Sequence, residues 1–110
     1  MEIRGDLTVE GESETESIID SYPLSIGKFT GIVFNAVSEV YLAQTRCLQF
    51  IDPYGDTTFN MLQKPVLTKE LADLMSLVTN PEEREYVAVL TEFVRRYEDA
   101  VHAYIKFHGD

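Results

Sequence analysis

The residues best suited to chemistry lie in one short stretch, Asp52-Pro53-Tyr54-Gly55-Asp56-Thr57-Thr58-Phe59-Asn60. Two carboxylates four residues apart can lie close enough that one binds a proton more tightly than the other. A general acid and general base pair requires such a difference. Together with the Asn60 amide they also offer the oxygen atoms that divalent cations prefer. The stretch therefore raises two chemical hypotheses, acid–base catalysis and metal binding.

Neither hypothesis is well supported by the residues. A calcium loop starting at Asp52 would need an acid or amide in place of Tyr54, glycine in place of Thr57 and glutamate in place of Gln63. An acid–base site also needs a cleft, which a small helical domain has little room to build. The Pro-Tyr-Gly sequence suits a turn instead, with Tyr54 and Phe59 anchoring the loop on the domain. We therefore expect no catalytic residue, no metal ion and no cofactor.

The other reactive side chains form no recognisable site. Cys47 is the single cysteine and falls on an apolar helical stripe, which favours a small buried side chain over a nucleophile. Two histidines without a second cysteine lack the usual ligand set of zinc. No glycine-rich phosphate loop and no nucleophile elbow occurs. The sequence predicts a protein that is not an enzyme.

Amphipathic stretches on both sides of the loop must position it. Over residues 25–50 apolar residues recur at alternating three- and four-residue spacings, which predicts one long helix ending before Pro53. A helix of about three turns is predicted over 67–78, with its charged residues outside. Asn80 then caps a final helix over 81–104, which begins at a proline and repeats the same spacing.

These stripes predict a mainly α fold, a small helical bundle with two long amphipathic helices. A short helical turn is expected over 58–63, capped by Asp56 or Thr57. The alternative is an α+β fold with a short two-stranded sheet, since residues 103–110 contain Tyr, Ile and Phe that suit a strand pairing with residues 3–9.

Charge is the strongest compositional feature, with 19 acidic against 9 basic residues and a formal net charge of −10. We expect an acidic, partly flexible N-terminal segment over 1–22, with an exposed linker over 10–17, followed by a single helical domain over 23–110. Such charge argues against nucleic-acid binding, because the affinity for nucleic acid comes from basic side chains at the phosphates. It favours a basic protein partner.

The sequence contains no apolar run of the ~18 residues that a membrane span needs. Its first residues also lack the basic and then apolar pattern of a signal peptide. We therefore expect a cytoplasmic protein with no membrane contact.

The loop and the C-terminal tail are together similar to small uncharacterised bacterial proteins. These share a D-P-Y-G-D-T-x-F-N-x-L-Q block, found here at 52–63, and a Y-x-K-F-x-G-D ending, found here at 104–110. The resemblance covers residues 50 to 110 and carries no known activity. It implies a bacterial source and a shared site.

Both similar segments contain Gly-Asp, and they can meet if the chain returns its C-terminus toward the loop. Lys106 should then lie within about 15 Å of Asp56. We predict one binding surface formed by Asp52, Tyr54, Asp56, Asn60, Lys106 and Asp110. The expected function is protein–protein interaction by an acidic module of the immunity or antitoxin kind. The alternatives are a self-associating structural or regulatory module, present as a homodimer, and a small metal-dependent hydrolase.

Overall fold

The computed structural model of the chain describes residues 1–7, 15–100 and 103–109. Two sequence predictions fall outside these residues. They are most of the acidic linker predicted over 10–17, and Asp110 of the predicted binding surface.

One antiparallel sheet contains the four strands of the described residues, β1 (Glu2–Leu7), β2 (Thr15–Ser21), β3 (Thr57–Phe59) and β4 (Ala103–Phe107). Their order across the sheet is β2-β1-β4-β3, so β4 lies between β1 and β3. Ile105 faces Ile3 on one side and Phe59 on the other. Pairing of the N-terminal and C-terminal strands confirms the α+β alternative, and the sheet has two strands more than expected.

The described residues also form four α-helices, α1 (Ile26–Ala36), α2 (Glu39–Ala43), α3 (Lys64–Leu77) and α4 (Pro81–Arg95), with a 3-10 turn at Leu48–Phe50. The single helix predicted over 25–50 is wrong. Its backbone is extended at Val37, and the Ser38 hydroxyl accepts from the Tyr41 N–H at 3.1 Å to begin α2. The predicted stripe breaks there too, because Val40 is 70% exposed.

The helix predicted over 67–78 is confirmed as α3, and the start of α4 is confirmed at its cap. Asn80 Oδ1 accepts from the backbone N–H groups of Glu82 and Glu83 at 2.9 and 3.1 Å. The expected continuation of this helix to 104 is wrong, because the chain turns after Arg95 and enters β4. The bundle of two long helices is therefore replaced by the pair α3 and α4, which pack against each other beside the sheet.

The helical turn predicted over 58–63 is also wrong. Residues 57–59 are extended and pair with β4, with Thr58 opposite Lys106. Threonine and phenylalanine favour the pleated, half-buried surface of a sheet. A strand this short depends on its partner, which lies some fifty residues later in the chain.

The core lies between β3 and β4 of the sheet and the helices. Alternate residues of β4 point inward, and the ring of Phe107 packs 6.2 Å from Phe29 of α1 and 5.8 Å from Phe59 of β3, measured between centroids. Fully buried side chains of α3 and α4 complete it: Leu67, Leu71, Leu74, Val87, Leu90 and Val94. Because Phe107 points inward, the preceding Lys106 is directed to the opposite face of the sheet, toward the loop at 52–56.

Candidate functional site

The turn at residues 52–56 is closed by its own side chains. Asp52 Oδ1 accepts a hydrogen bond from the Tyr54 N–H at 2.9 Å, which is the pattern of an Asx turn. The Asp52 N–H donates to Thr57 Oγ1, also at 2.9 Å. One predicted site residue, Asp52, therefore shapes the loop as well as lying on its surface.

The C-terminal tail packs directly on this turn. A side chain at Gly109 would collide with the backbone N, C and O atoms of Gly55, so the two glycines are in close backbone contact. Only a residue without a Cβ allows two backbones to approach in this way. The prediction that the two Gly-Asp segments lie together is thus confirmed for Gly55 and Gly109.

Asp56 lies between two basic groups that the tail supplies. Its Oδ2 is 3.7 Å from Lys106 Nζ and its Oδ1 is 3.5 Å from His108 Nδ1. The predicted proximity of Lys106 and Asp56 is confirmed, while any binding role of these residues stays a prediction. About half of the Asp56 side chain is exposed, so each pair contributes little to stability.

Asn60 organises the start of α3. Its Oδ1 accepts from the backbone N–H groups of Leu62 and Gln63 at 3.0 and 3.1 Å. In return, Gln63 Oε1 accepts from the Asn60 N–H at 2.9 Å. This reciprocal arrangement resembles a capping box and accounts for Asn60 structurally.

The two aromatic residues of the loop have opposite environments. Phe59 is buried in the core against Phe107, as expected. Tyr54 was expected to anchor the loop too, and this is wrong, because 84% of its surface is exposed. Its backbone N–H is held by Asp52 while its ring projects into solvent. A fixed loop therefore presents a large aromatic side chain.

Further exposed apolar side chains occur close to this turn in the chain. Phe50 is 63% exposed and Leu62 is 79% exposed. Pro53 also borders an apolar groove on α1, whose exposed wall is Phe34. Together, Tyr54, Phe50 and Pro53 form what we call the loop surface, with Asp52 and Asp56 as its acidic members.

Sequence reasoning missed Glu70, which was placed on the outer side of α3. Its carboxylate accepts three backbone hydrogen bonds from the loop at 44–48, with Oε2 taking the Arg46 N–H at 2.6 Å and Oε1 taking the N–H groups of Cys47 and Leu48 at 3.0 Å. No sequence signal links Glu70 to these residues.

Lys64 was also missed. It is fully buried, and its ammonium donates to the carbonyl oxygens of Tyr97 and Ala100 at 2.8 and 2.7 Å. Burial lowers the pKa of Lys64, against the opposing effect of Asp99. The sequence signal for its burial was the position of Lys64 on the apolar stripe of α3, three residues before Leu67. A lysine on the apolar face of a helix needs an internal partner.

Cys47 is buried, which confirms the expectation of a small packed side chain. Its Sγ lies 3.7 Å from the carbonyl oxygen of Gln63. Burial, aided by the charge of Glu70, raises the pKa of the thiol to about 11. The reactive thiolate is therefore scarce near neutral pH.

The side chains around Asp56 lie on an open surface. An aspartate beside a histidine can orient an imidazole as a general base, but both side chains lie exposed on the surface. Among the described residues, no three His, Cys, Asp or Glu side chains are grouped closely enough to hold a metal ion. None of the described helices is both long and apolar enough to cross a bilayer.

Comparison with protein-family models, with curated proteins and with solved structures gave no match to this chain.

Proposed function

We propose that this protein is a protein–protein interaction module that binds a basic partner through the loop surface. The observation that carries the proposal is the 84% exposure of Tyr54 on a turn held by its own hydrogen bonds and by the tail. Tyrosine is enriched among the few residues that dominate binding energy at interfaces. A loop that is already ordered loses little conformational entropy when it binds.

Charge supports a basic partner, although the loop contributes less of it than the sequence suggested. Asp56 is paired with Lys106, which offsets its charge locally. Asp52 and the net charge of −10 over the whole chain provide the attraction. Long-range attraction of this kind raises the association rate and weakens with salt, while Tyr54 supplies short-range affinity.

The exposed position of the loop carboxylates favours binding over hydrolysis. One Asp52 oxygen is occupied by the Tyr54 N–H, and both Asp56 oxygens face basic side chains. A hydrolytic site needs a cleft that holds the substrate against its general base, and Asp52 and Asp56 are both exposed. We therefore do not favour the hydrolase alternative.

Self-association is the second candidate function, because large apolar side chains are exposed in other parts of the described chain. Phe34 is 66% exposed and Val40 is 70% exposed. Exposed apolar side chains of this size are common at contacts between protein copies. Sedimentation equilibrium across a wide concentration range tests this candidate, and a monomer throughout would remove it.

The partner-binding proposal is tested by comparing three immobilised baits in a lysate of the source organism: wild type, Tyr54→Ala, and Val89→Ala. Val89 is also an exposed apolar residue, but it lies on α4. We expect a basic protein retained by wild type and Val89→Ala and depleted at least roughly tenfold on Tyr54→Ala. Purified partner should then bind wild type with an affinity that falls as salt rises. Equal retention on all three baits would remove the loop surface as the binding site.

A further inference from the structure

A second candidate site lies in a groove between α2 and α3. Its volume is about 420 Å³, which is in the usual range for small-molecule sites. Its walls include Tyr41 of α2, Arg46 of the following loop, and Lys69, Glu70 and Asp73 of α3. None of these residues belongs to the loop surface.

The groove is held in shape by Glu70. Three backbone N–H groups, of Arg46, Cys47 and Leu48, donate to its carboxylate, which fixes the loop wall against the helix wall. The same hydrogen bonds occupy the Glu70 carboxylate. The groups available to a ligand are therefore the remaining polar side chains of the lining.

These side chains carry charges of both signs without neutralising each other. Lys69 and Asp73 are four residues apart on one helix, a spacing at which opposite charges ordinarily pair. In the described part of the chain, however, neither they nor the Arg46 side chain forms an ion pair. The groove thus contains two cationic and two anionic groups, and of these Arg46, Lys69 and Asp73 have side chains open to another partner, while the Glu70 carboxylate is held by the loop backbone.

Tyr41 adds a neutral polar group to the acidic side of the groove. It is half-buried, and burial raises the pKa of its hydroxyl, with further increases from the charges of Asp73 and Glu70. Among the described residues its hydroxyl has no hydrogen-bond partner. A protonated phenol beside a carboxylate can accept a hydrogen bond from an ammonium group.

We propose that this groove binds a free α-amino acid, with the carboxylate of the ligand at Arg46 and Lys69 and its ammonium group at Asp73 and Tyr41. Arginine forms bidentate hydrogen bonds with carboxylates, which gives orientation as well as affinity. Val66 gives the groove an apolar wall on which the side chain of the amino acid would lie. This site is independent of the proposed partner-binding role.

The test is a titration of the ¹⁵N-labelled chain with a panel of free α-amino acids, followed by amide chemical shifts. Each amino acid is matched with its deaminated carboxylic acid and its decarboxylated amine. We expect saturable shifts at residues 41–46 and 69–73, and binding by each analogue that is at least roughly tenfold weaker. Absence of saturable shifts up to about 20 mM of every amino acid would overturn the proposal. Equal binding of the single-charge analogues would overturn it as well.

Substitutions separate the two halves of the site. Asp73→Asn should weaken the amino acid and the amine roughly tenfold and leave the carboxylic acid unchanged, whereas Arg46→Gln should show the reverse preference. Glu85→Gln and Lys28→Gln are charge-matched controls at exposed positions outside the groove, and neither should alter binding. If the variants and their controls lost equal affinity for the ligands, the effect would come from net charge, and the proposed site would be wrong.

Discussion

Two loops of this protein are each held by residues from a distant part of the chain, and they are held in different ways. The loop at 44–48 is fixed by the Glu70 carboxylate through hydrogen bonds to backbone groups, two of them on the buried residues Cys47 and Leu48. The loop at 52–56 is fixed by backbone packing against Gly109, and the half-exposed Asp56 adds only weak contacts with Lys106 and His108. The first arrangement stabilises the fold, while the second sets the shape of a surface.

The largest effect should come from removing the Glu70 carboxylate. Glu70→Ala leaves three backbone N–H groups without their acceptor, and we expect the free energy of unfolding to fall by about 2–4 kcal/mol. Urea denaturation measures this change. Asp73→Ala, one turn further along α3 and exposed, should change stability by less than ~0.5 kcal/mol. Similar effects of the two substitutions would contradict the difference between the loops.

The Cys47 thiol reports on the same loop. With its pKa raised to about 11, it should react slowly with a disulfide reagent at pH 8, since the thiolate forms only at much higher pH. In Glu70→Ala the loop opens and the negative charge is lost, so we expect the reaction to be at least roughly tenfold faster. The unfolded chain gives the upper limit. A rate unchanged by the substitution would show that Glu70 does not hold the loop closed.

Gly109→Ala should have the next largest effect, because the new methyl group collides with the Gly55 backbone. We expect a loss of about 1–3 kcal/mol, with amide shift changes confined to the loop and the tail. The matched control is Gly31→Ala in α1, where a Cβ meets no atom within 4 Å. That variant should be more stable by about 0.5–1 kcal/mol, since alanine favours a helix interior. Two losses of equal size would contradict the close contact of the glycines.

Asp56→Asn should cost only about 0.2–1 kcal/mol, because about half of the Asp56 side chain is exposed to solvent. The cost should shrink at ~1 M salt, where exposed charges are screened. Glu92→Gln is the comparison, as it breaks a single, more exposed pair with Arg95 at 3.4 Å. Thermal unfolding at low and high salt measures both variants. A loss for Asp56→Asn well above that for Glu92→Gln would mean that charge, and not only backbone packing, fixes this loop.

The smallest effect on stability should come from Tyr54→Ala. An exposed ring makes few contacts in the free protein, so we expect a change within ~0.5 kcal/mol by urea denaturation. If the same substitution removes partner binding, recognition and stability are separated at this position. A large loss of stability would instead show that the ring packs on the protein in solution.

Local signals in the sequence predicted the parts of the fold that depend on near neighbours. Asn80 and the following proline marked the start of α4 correctly, because a cap and its helix lie within a few residues. The break at Val37 was missed, since the apolar spacing continues across it and Ser38 is an N-cap that hydrophobic periodicity does not detect.

The features that depend on distant residues were harder to predict. β3 is a strand because β4 lies beside it. Glu70 stabilises the loop because the backbone N–H groups of residues 46–48 lie within hydrogen-bonding distance of its carboxylate. The approach of Lys106 to Asp56 was predicted, because two similar segments suggested a common site. The exposure of Tyr54 was not predicted, since an aromatic residue in a loop can either pack on the domain or project into solvent.

The position of β4 between β1 and β3 has a kinetic consequence. β1 and β4 are about one hundred residues apart in the sequence, so their pairing closes a very long loop and is expected late in folding. Lys106 and Gly109 reach the turn at 52–56 only when β4 has docked. On the ribosome, the helices can therefore form before the loop surface exists. For the proposed interaction, we expect binding to appear only after residues 103–109 have emerged and joined the sheet.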